Sequence, residues 1–280
     1  MSAKKAGQNT NSVYTIERQD LNSLFSAIQK KGYKAVGPTV KHGAIVYDAI
    51  KDSGDLPAGW TDEQNGGTYR IRQRGDSALF GFACSPHSWK KYLHPAVSQV
   101  LHAKRNGGSF DLSPQKQEDE KLAFIGVRSC DLHAISILDK VFTGGPYKDS
   151  AYASRRANVL IVALNCGHAG ATCFCASMNT GPKVSREFDI ALTEIYNRKR
   201  HHFLAETGSG LGVSIMKDVK CGRAGAEELA AGERVLAKTA SNMGRSVEAE
   251  GLRPLLYRNY ENARWQETAK RCLSCTNCTM

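Results

Sequence analysis

Two continuous apolar runs, Leu122-Ala-Phe-Ile-Gly-Val127 and Val159-Leu-Ile-Val-Ala-Leu164, have the length and character of buried strands. Residues 132–142 between them read as a helix, so strand, helix and strand outline a βαβ unit with a parallel pair. Upstream, the window of residues 13–31 contains Leu21, Leu24, Phe25 and Ile28 at intervals of three and four, which predicts a helix with Asp20 as its N-cap and its end at Gly32, and no separate element before it. Residues 33–48 read as two short strands broken by Gly37-Pro38 and Gly43, and Gly66-Gly67 marks a turn. Residues 106–120, with Gly107-Gly108 and a polar tail, read as a mobile surface loop. Helical patterns return at residues 226–240 and 258–271. The expected fold is α+β: an α/β body with a βαβ-like unit over residues 1–255, then the start of a further, helical domain at 256–280.

With 280 residues the chain can build one large or two modest cores. No apolar run approaches the ~18–20 residues of a membrane span. The N-terminus carries two lysines but no apolar stretch behind them, so it reads as a disordered tail rather than a secretory signal. A cytoplasmic location is expected, where nine cysteines would stay reduced and clustered thiols point to metal or redox chemistry. The formal charge of +11 fits a solvated basic surface or an acidic protein partner. Its basic residues are spread along the chain without helix-turn-helix or zinc-finger spacing, so no nucleic-acid partner is expected.

The sharpest motif is Cys272-x-x-Cys275-x-x-Cys278, three thiolates on one tight loop, the run with which bacterial ferredoxins hold a cubane. Residues 256–280 are therefore expected to begin a helical ferredoxin-like iron–sulfur domain, and because the continuation x3-Cys-Pro would fall beyond Met280, that domain is expected to be cut. The fourth thiolate then lies outside this chain or comes from Cys221 or Cys84. Zinc is the alternative, although it more usually takes two Cys-x2-Cys pairs separated by a longer spacer.

A second set consists of Cys130 just after the first buried strand, Cys166 just after the second, and Cys173 and Cys175. Ligand sites in open α/β sheets gather at the carboxyl ends of strands. These four thiolates are candidates for one further [4Fe–4S] cluster, with Gly167 and Gly170 admitting backbone amides to its sulfurs. Buried structural cysteines, or a redox dithiol at Cys173-x-Cys175, are the alternatives. Cys84 and Cys221 stand alone and read as structural. Asp131 reads as the N-cap of the following helix, with a carboxylate ligand to iron as its other reading. His133 and His168 read as core residues or as hydrogen-bonding neighbours of the ligands. Thr207-Gly-Ser-Gly-Leu-Gly212 lacks a P-loop lysine and full dinucleotide spacing, so it reads as a turn that binds no nucleotide.

Several segments together resemble the beta subunit of soluble nickel–iron hydrogenases of the sulfhydrogenase type, and the A subunit of anaerobic sulfite reductase is similar. They are Gly126-Val-Arg-Ser-Cys130-Asp-Leu-His-Ala134, Leu138-Asp-Lys-Val-Phe142, Cys173-Phe-Cys-Ala-Ser-Met178, Thr180-Gly-Pro182, Phe188-Asp-Ile-Ala-Leu192, Ser88-Trp-Lys-Lys91 and residues 271–280. The likeness covers roughly residues 30–280. It implies an electron-transfer subunit with [4Fe–4S] clusters, one in the body and one or two in a complete C-terminal domain. Such a subunit relays electrons between a flavin-containing, NAD(P)-binding subunit and a catalytic hydrogenase or sulfite or sulfur reductase subunit. No catalytic residue is then expected. The rivals are a zinc-stabilised scaffold or nucleic-acid-binding module, and a self-sufficient reductase.

Overall fold

The computed structural model describes residues 12–83, 87–114, 120–197 and 200–272. The chain opens with β1 (Val13–Glu17), a 3-10 turn (Arg18–Asp20), α1 (Asn22–Lys30), β2 (Lys34–Lys41) and β3 (Ala44–Ala49). Next come β4 (Trp60–Asn65), β5 (Thr68–Gln73), α2 (Lys90–Leu93), β6 (Leu101–Asn106) and β7 (Ser109–Pro114). The central unit is β8 (Leu122–Val127), α3 (Ser129–Thr143), α4 (Ser150–Ala157) and β9 (Val159–Leu164). After it follow β10 (Ile190–Tyr196), β11 (His201–Thr207), α5 (Gly210–Met216), β12 (Gly222–Arg223), α6 (Ala226–Ser241), α7 (Leu252–Arg258) and α8 (Ala263–Ala269).

Eight strands form one mixed sheet in the order β12-β1-β11-β10-β9-β8-β2-β3. Its centre, β10, β9, β8 and β2, is parallel, with Ile190 opposite Val162, Leu122 opposite Val159 and Lys34 opposite Leu122. Both wings are antiparallel. The predicted βαβ unit is therefore present, with two helices rather than one in its crossover.

Burial on both faces explains the continuous apolar runs. On β9, Leu160, Val162 and Leu164 join a core with Leu24, Phe25 and Ile28 of α1 and Ile215 of α5. Ile161 and Ala163 face the other way, against Leu132, Ile135 and Leu138 of α3 and Tyr152 of α4. Each large side chain so buried contributes about 1.5–3 kcal/mol relative to exposure. Among the described residues no helix is long and apolar enough to cross a membrane.

Gly126 interrupts this alternation. It has φ +86°, and the β8–β9 register shifts between Ile125 and Val127. The resulting bulge turns Val127 into the α3 layer and redirects the residues that follow. A Cβ here would stand 3.4 Å from Phe80, an ordinary contact, so the cost of a side chain is conformational. Gly126→Ala is expected to destabilise the chain by about 1–2 kcal/mol, measured by urea unfolding. An unchanged midpoint would contradict this role for the bulge.

The structure departs from the sequence reading in several places. Residues 13–17, absorbed in the first helical window, form β1 at a wing of the sheet. Asp20 ends the 3-10 turn instead of capping α1. Its carbonyl accepts from the Ser23 hydroxyl at 2.7 Å, and its carboxylate pairs with Lys220 at 2.8 Å. Strand β2 runs unbroken through Gly37-Pro38. Pairing to β8 stops at Val36, so Pro38 removes no ladder bond on that side.

The expected loop at residues 106–120 is largely the β6–β7 hairpin, in which Ala103 faces Leu112 and Arg105 faces Phe110. Residues 115–119 lie outside the described residues. Of the helix expected at 258–271 only α8 forms, after a break at residues 259–262, and α7 precedes it at a place where no helix was expected. Whether they begin a ferredoxin-like domain depends on residues 273–280, which also lie outside the described residues.

Candidate functional site at the ends of the parallel strands

Strands β8 and β9 are parallel neighbours, so the residues after Val127 and Leu164 emerge on the same edge of the sheet. After the Gly126 bulge, Arg128 occupies the N-cap of α3 and Cys130 its first turn. Asp131 is not the N-cap; it reaches back from the third helical position to accept the Arg128 backbone N–H at 3.2 Å. It also accepts from the Trp89 indole at 3.3 Å. Asp131 thus caps the helix from its third position, three residues inside the N-cap where it was expected.

Asn165 fixes the exit from β9. Its Oδ1 accepts from the Val184 N–H at 2.7 Å and its Nδ2 donates to Thr193 at 2.8 Å. The next residue, Cys166, donates its N–H to the Pro182 carbonyl at 3.2 Å. Cys173 and Cys175 lie on a turn held by Cys173 N–H to Gly170 O and Thr180 N–H to Cys175 O, both 3.0 Å. Gly181 lets this turn reach the start of α3, because a Cβ there would stand 2.9 Å from Cys175 Sγ and 3.4 Å from Ser129 Cβ.

These folds bring together four thiols from three segments. Cys130 raises the pKa of Cys166, Cys173 and Cys175, Cys173 that of Cys175, and Cys175 that of Cys166. Such mutual repulsion between like charges places the four thiols in one neighbourhood. Burial is nonetheless the main cause of the shifts, pushing Cys166 up to about 12 and Cys175 to about 11. Cys130 is exposed, so the group opens to the surface on one side.

Arg128 is the counter-charge. It is 2% exposed, donates from Nη2 to the Phe82 carbonyl at 2.9 Å and lies 5.2 Å from the centre of the Phe82 ring. It hydrogen-bonds Cys166, and its positive charge favours the ionised forms of Cys166 and Cys173. Asp62 on β4 is a further neighbour that the sequence did not single out. It is buried, with Oδ1 accepting from Ala83 N–H at 2.6 Å and Oδ2 without a hydrogen-bond partner among the described residues. A Cβ on Gly170 would stand 3.7 Å from both this oxygen and Cys173 Sγ.

Four soft thiol donors beside a buried cation suit a thiophilic, negatively charged iron–sulfur group. Among the described residues no three His, Cys, Asp or Glu side chains are gathered as a single metal ion requires. A cubane spreads its four thiolates more widely than one tetrahedral ion does, each on a separate iron.

In the metal-free chain the raised thiol pKa values carry a linkage. The stability they contribute is complete below their unfolded value of 9.0 and is lost as pH rises towards 11 and 12. The thermal midpoint is therefore expected to fall above pH 9, and less steeply in Cys166→Ser. An identical decline in both proteins would show that Cys166 is not the group responsible.

Of the other predicted residues, Cys272 is exposed beyond α8, whereas Cys275, Cys278 and Cys84 lie outside the described residues. Cys221 packs against the α1 side of the core, as a structural cysteine would. His133 is half-buried in α3, one turn beyond Cys130. His168 lies near Asp62, Arg74 and Arg128. Gly170 adjoins the thiols, but Gly167 lies against Val235 of α6. Ser209, within the glycine-rich turn, caps α5 by accepting from Gly212 N–H at 3.1 Å.

No family model matches the chain, and no solved structure matches it. Among curated proteins, the sulfhydrogenase 2 subunit beta of Pyrococcus furiosus is 34% identical over 170 residues, which are 58% of this chain. The match spans 47% of that relative, so the chain covers about half its length. The resemblance carried by the sequence motifs is borne out over this stretch, where the chain is similar to that sulfhydrogenase beta subunit.

Proposed function

We propose that this chain is an electron-relaying subunit of a multi-subunit oxidoreductase of the hydrogenase or sulfur or sulfite reductase type. Cys130, Cys166, Cys173 and Cys175 would hold a [4Fe–4S] cluster, and Cys272, Cys275 and Cys278 would supply three ligands to a second. The observation that carries this reading is the convergence of four thiols around the buried Arg128, where two adjacent parallel strands end. A bound cubane supplies one-electron carriage, tuned by hydrogen bonds and burial around its sulfurs.

The protein's own contribution is to hold those sulfurs, balance their charge through Arg128 and leave one side accessible at Cys130. From Cys130 a stripe continues along α3 through Ala134, Ile137 and Val141, of which Ile137 and Val141 are 53% and 61% exposed. Exposed apolar surface of this kind suits a protein partner, and the proposed ones are a flavin/NAD(P)-binding subunit and a catalytic subunit.

The test uses the anaerobically purified chain. It is expected to take up electrons from dithionite and return them to a one-electron dye, without turning over sulfite or polysulfide unaided. Unaided turnover of either substrate would replace the relay with a reductase.

A further inference from the structure

Beside the thiols lies a cavity of about 440 Å³, between the ends of β9 and β10, helix α6 and residues 74–81. That volume is in the range of sites for small organic molecules. Part of its wall, Gly167 to Ala169, belongs to the segment joining Cys166 to Cys173. Ala169 and Val235 give it an apolar side.

Two of its charged residues are already engaged. Arg74 is forked onto Asp76, with Nε to Oδ1 at 3.0 Å and Nη2 to Oδ2 at 2.7 Å, and its Nη1 donates to Gly81 O at 3.0 Å. Glu194 accepts from Leu79 N–H at 2.6 Å and Phe80 N–H at 2.9 Å, and it contacts His201 Nε2 at 2.8 Å. Lys238, by contrast, has no carboxylate partner among the described residues, and it lines the same cavity as His168 and Asn242. The half-buried His168 imidazole and the Asn242 amide each bring hydrogen-bonding nitrogen or oxygen atoms to that wall.

We infer that this cavity binds a small organic anion, its apolar ring against Ala169 and Val235 and its phosphate or carboxylate at Lys238. The Lys238 ammonium supplies the charge, His168 and Asn242 supply hydrogen bonds, and the volume exceeds the needs of an inorganic oxyanion. Binding is a property of the cavity itself. Only its meaning, a molecule held one loop away from the thiols, rests on the relay proposed above.

The test titrates the full chain with flavin mononucleotide against riboflavin, and with adenosine monophosphate against adenosine, while iron is assayed separately. In at least one pair the phosphorylated probe is expected to bind about tenfold more tightly or better, as a charge-assisted hydrogen bond would give. Lys238→Ala, on the exposed side of α6, is expected to erase that ratio without lowering the thermal midpoint. Val235→Trp, which fills the cavity, is expected to abolish binding of both members. Equal affinities within both pairs, no binding by any of the four, or a ratio that survives Lys238→Ala would overturn the inference. Iron-free protein that still shows the ratio would sink the cluster reading alone, and iron-containing protein without it would sink the cavity alone.

Discussion

Cys166→Ser is expected to remove one cluster from the chain, a loss of about four iron and four sulfide, while leaving the protein folded. The Cys166 thiol is desolvated, hydrogen-bonded by Arg128 and close enough to Cys130 and Cys175 to feel their charge, so it belongs to the thiol group. Serine has nearly the same shape and can still accept from the guanidinium, so the surrounding core has no reason to collapse. Its harder oxygen, however, is a poor substitute for a thiolate on iron. Iron and sulfide analysis, with absorbance near ~400 nm, measures the effect. Cys221→Ser serves as the control, because Cys221 belongs to the opposite core layer. Equal iron in Cys166→Ser and the parent would exclude the proposed body site.

Arg128→Met is expected to lower the reduction potential of that cluster by roughly 60–130 mV. This is the equivalent of the 1.5–3 kcal/mol carried by a hydrogen bond to a charged group. The direction follows from charge: reduction adds an electron, and a nearby buried cation favours the more negative state. Methionine keeps much of the side-chain length, so the loss is mainly the charge and the bond to the Phe82 carbonyl at 2.9 Å. Leaving that carbonyl unsatisfied adds about 1–3 kcal/mol of destabilisation. Arg128→Lys keeps the charge and is expected to retain most of the potential. A redox titration that gave the same midpoint for Arg128→Met and the parent would remove Arg128 from the electrostatics of the site.

What the sequence revealed was what local pattern determines. The β8 and β9 runs were legible because strands buried on both faces need apolar residues at every position. Cys130 and Cys166 were legible because parallel strands deliver the residues after them to one edge. Cys173 and Cys175 followed as the remaining members of that cysteine cluster.

The misses have equally local causes. Strand β1 is short and adjoins a helical pattern, so its period was absorbed into the neighbouring window. Hairpin β6–β7 hid behind polar residues because much of it is solvated, with Phe110 66% and Leu112 64% exposed. Asp62 carried no signal at all; its place beside Cys173 depends on β4, more than a hundred residues earlier in the chain, folding over the site. Arg128 stood inside a quoted motif, but nothing in the sequence indicated that its charge is buried. The cavity at Lys238 assembles from four separate segments, and no spacing announces it.

The most direct measurement of the central claim separates the two cysteine sets. In a variant carrying Cys272→Ser, Cys275→Ser and Cys278→Ser together, only the body set remains among the candidate ligand groups. After anaerobic reconstitution the protein is expected to be brown, to hold about four iron and four sulfide, and to give a paramagnetic resonance signal on reduction. A colourless protein, or one that retains zinc instead of iron, would contradict it.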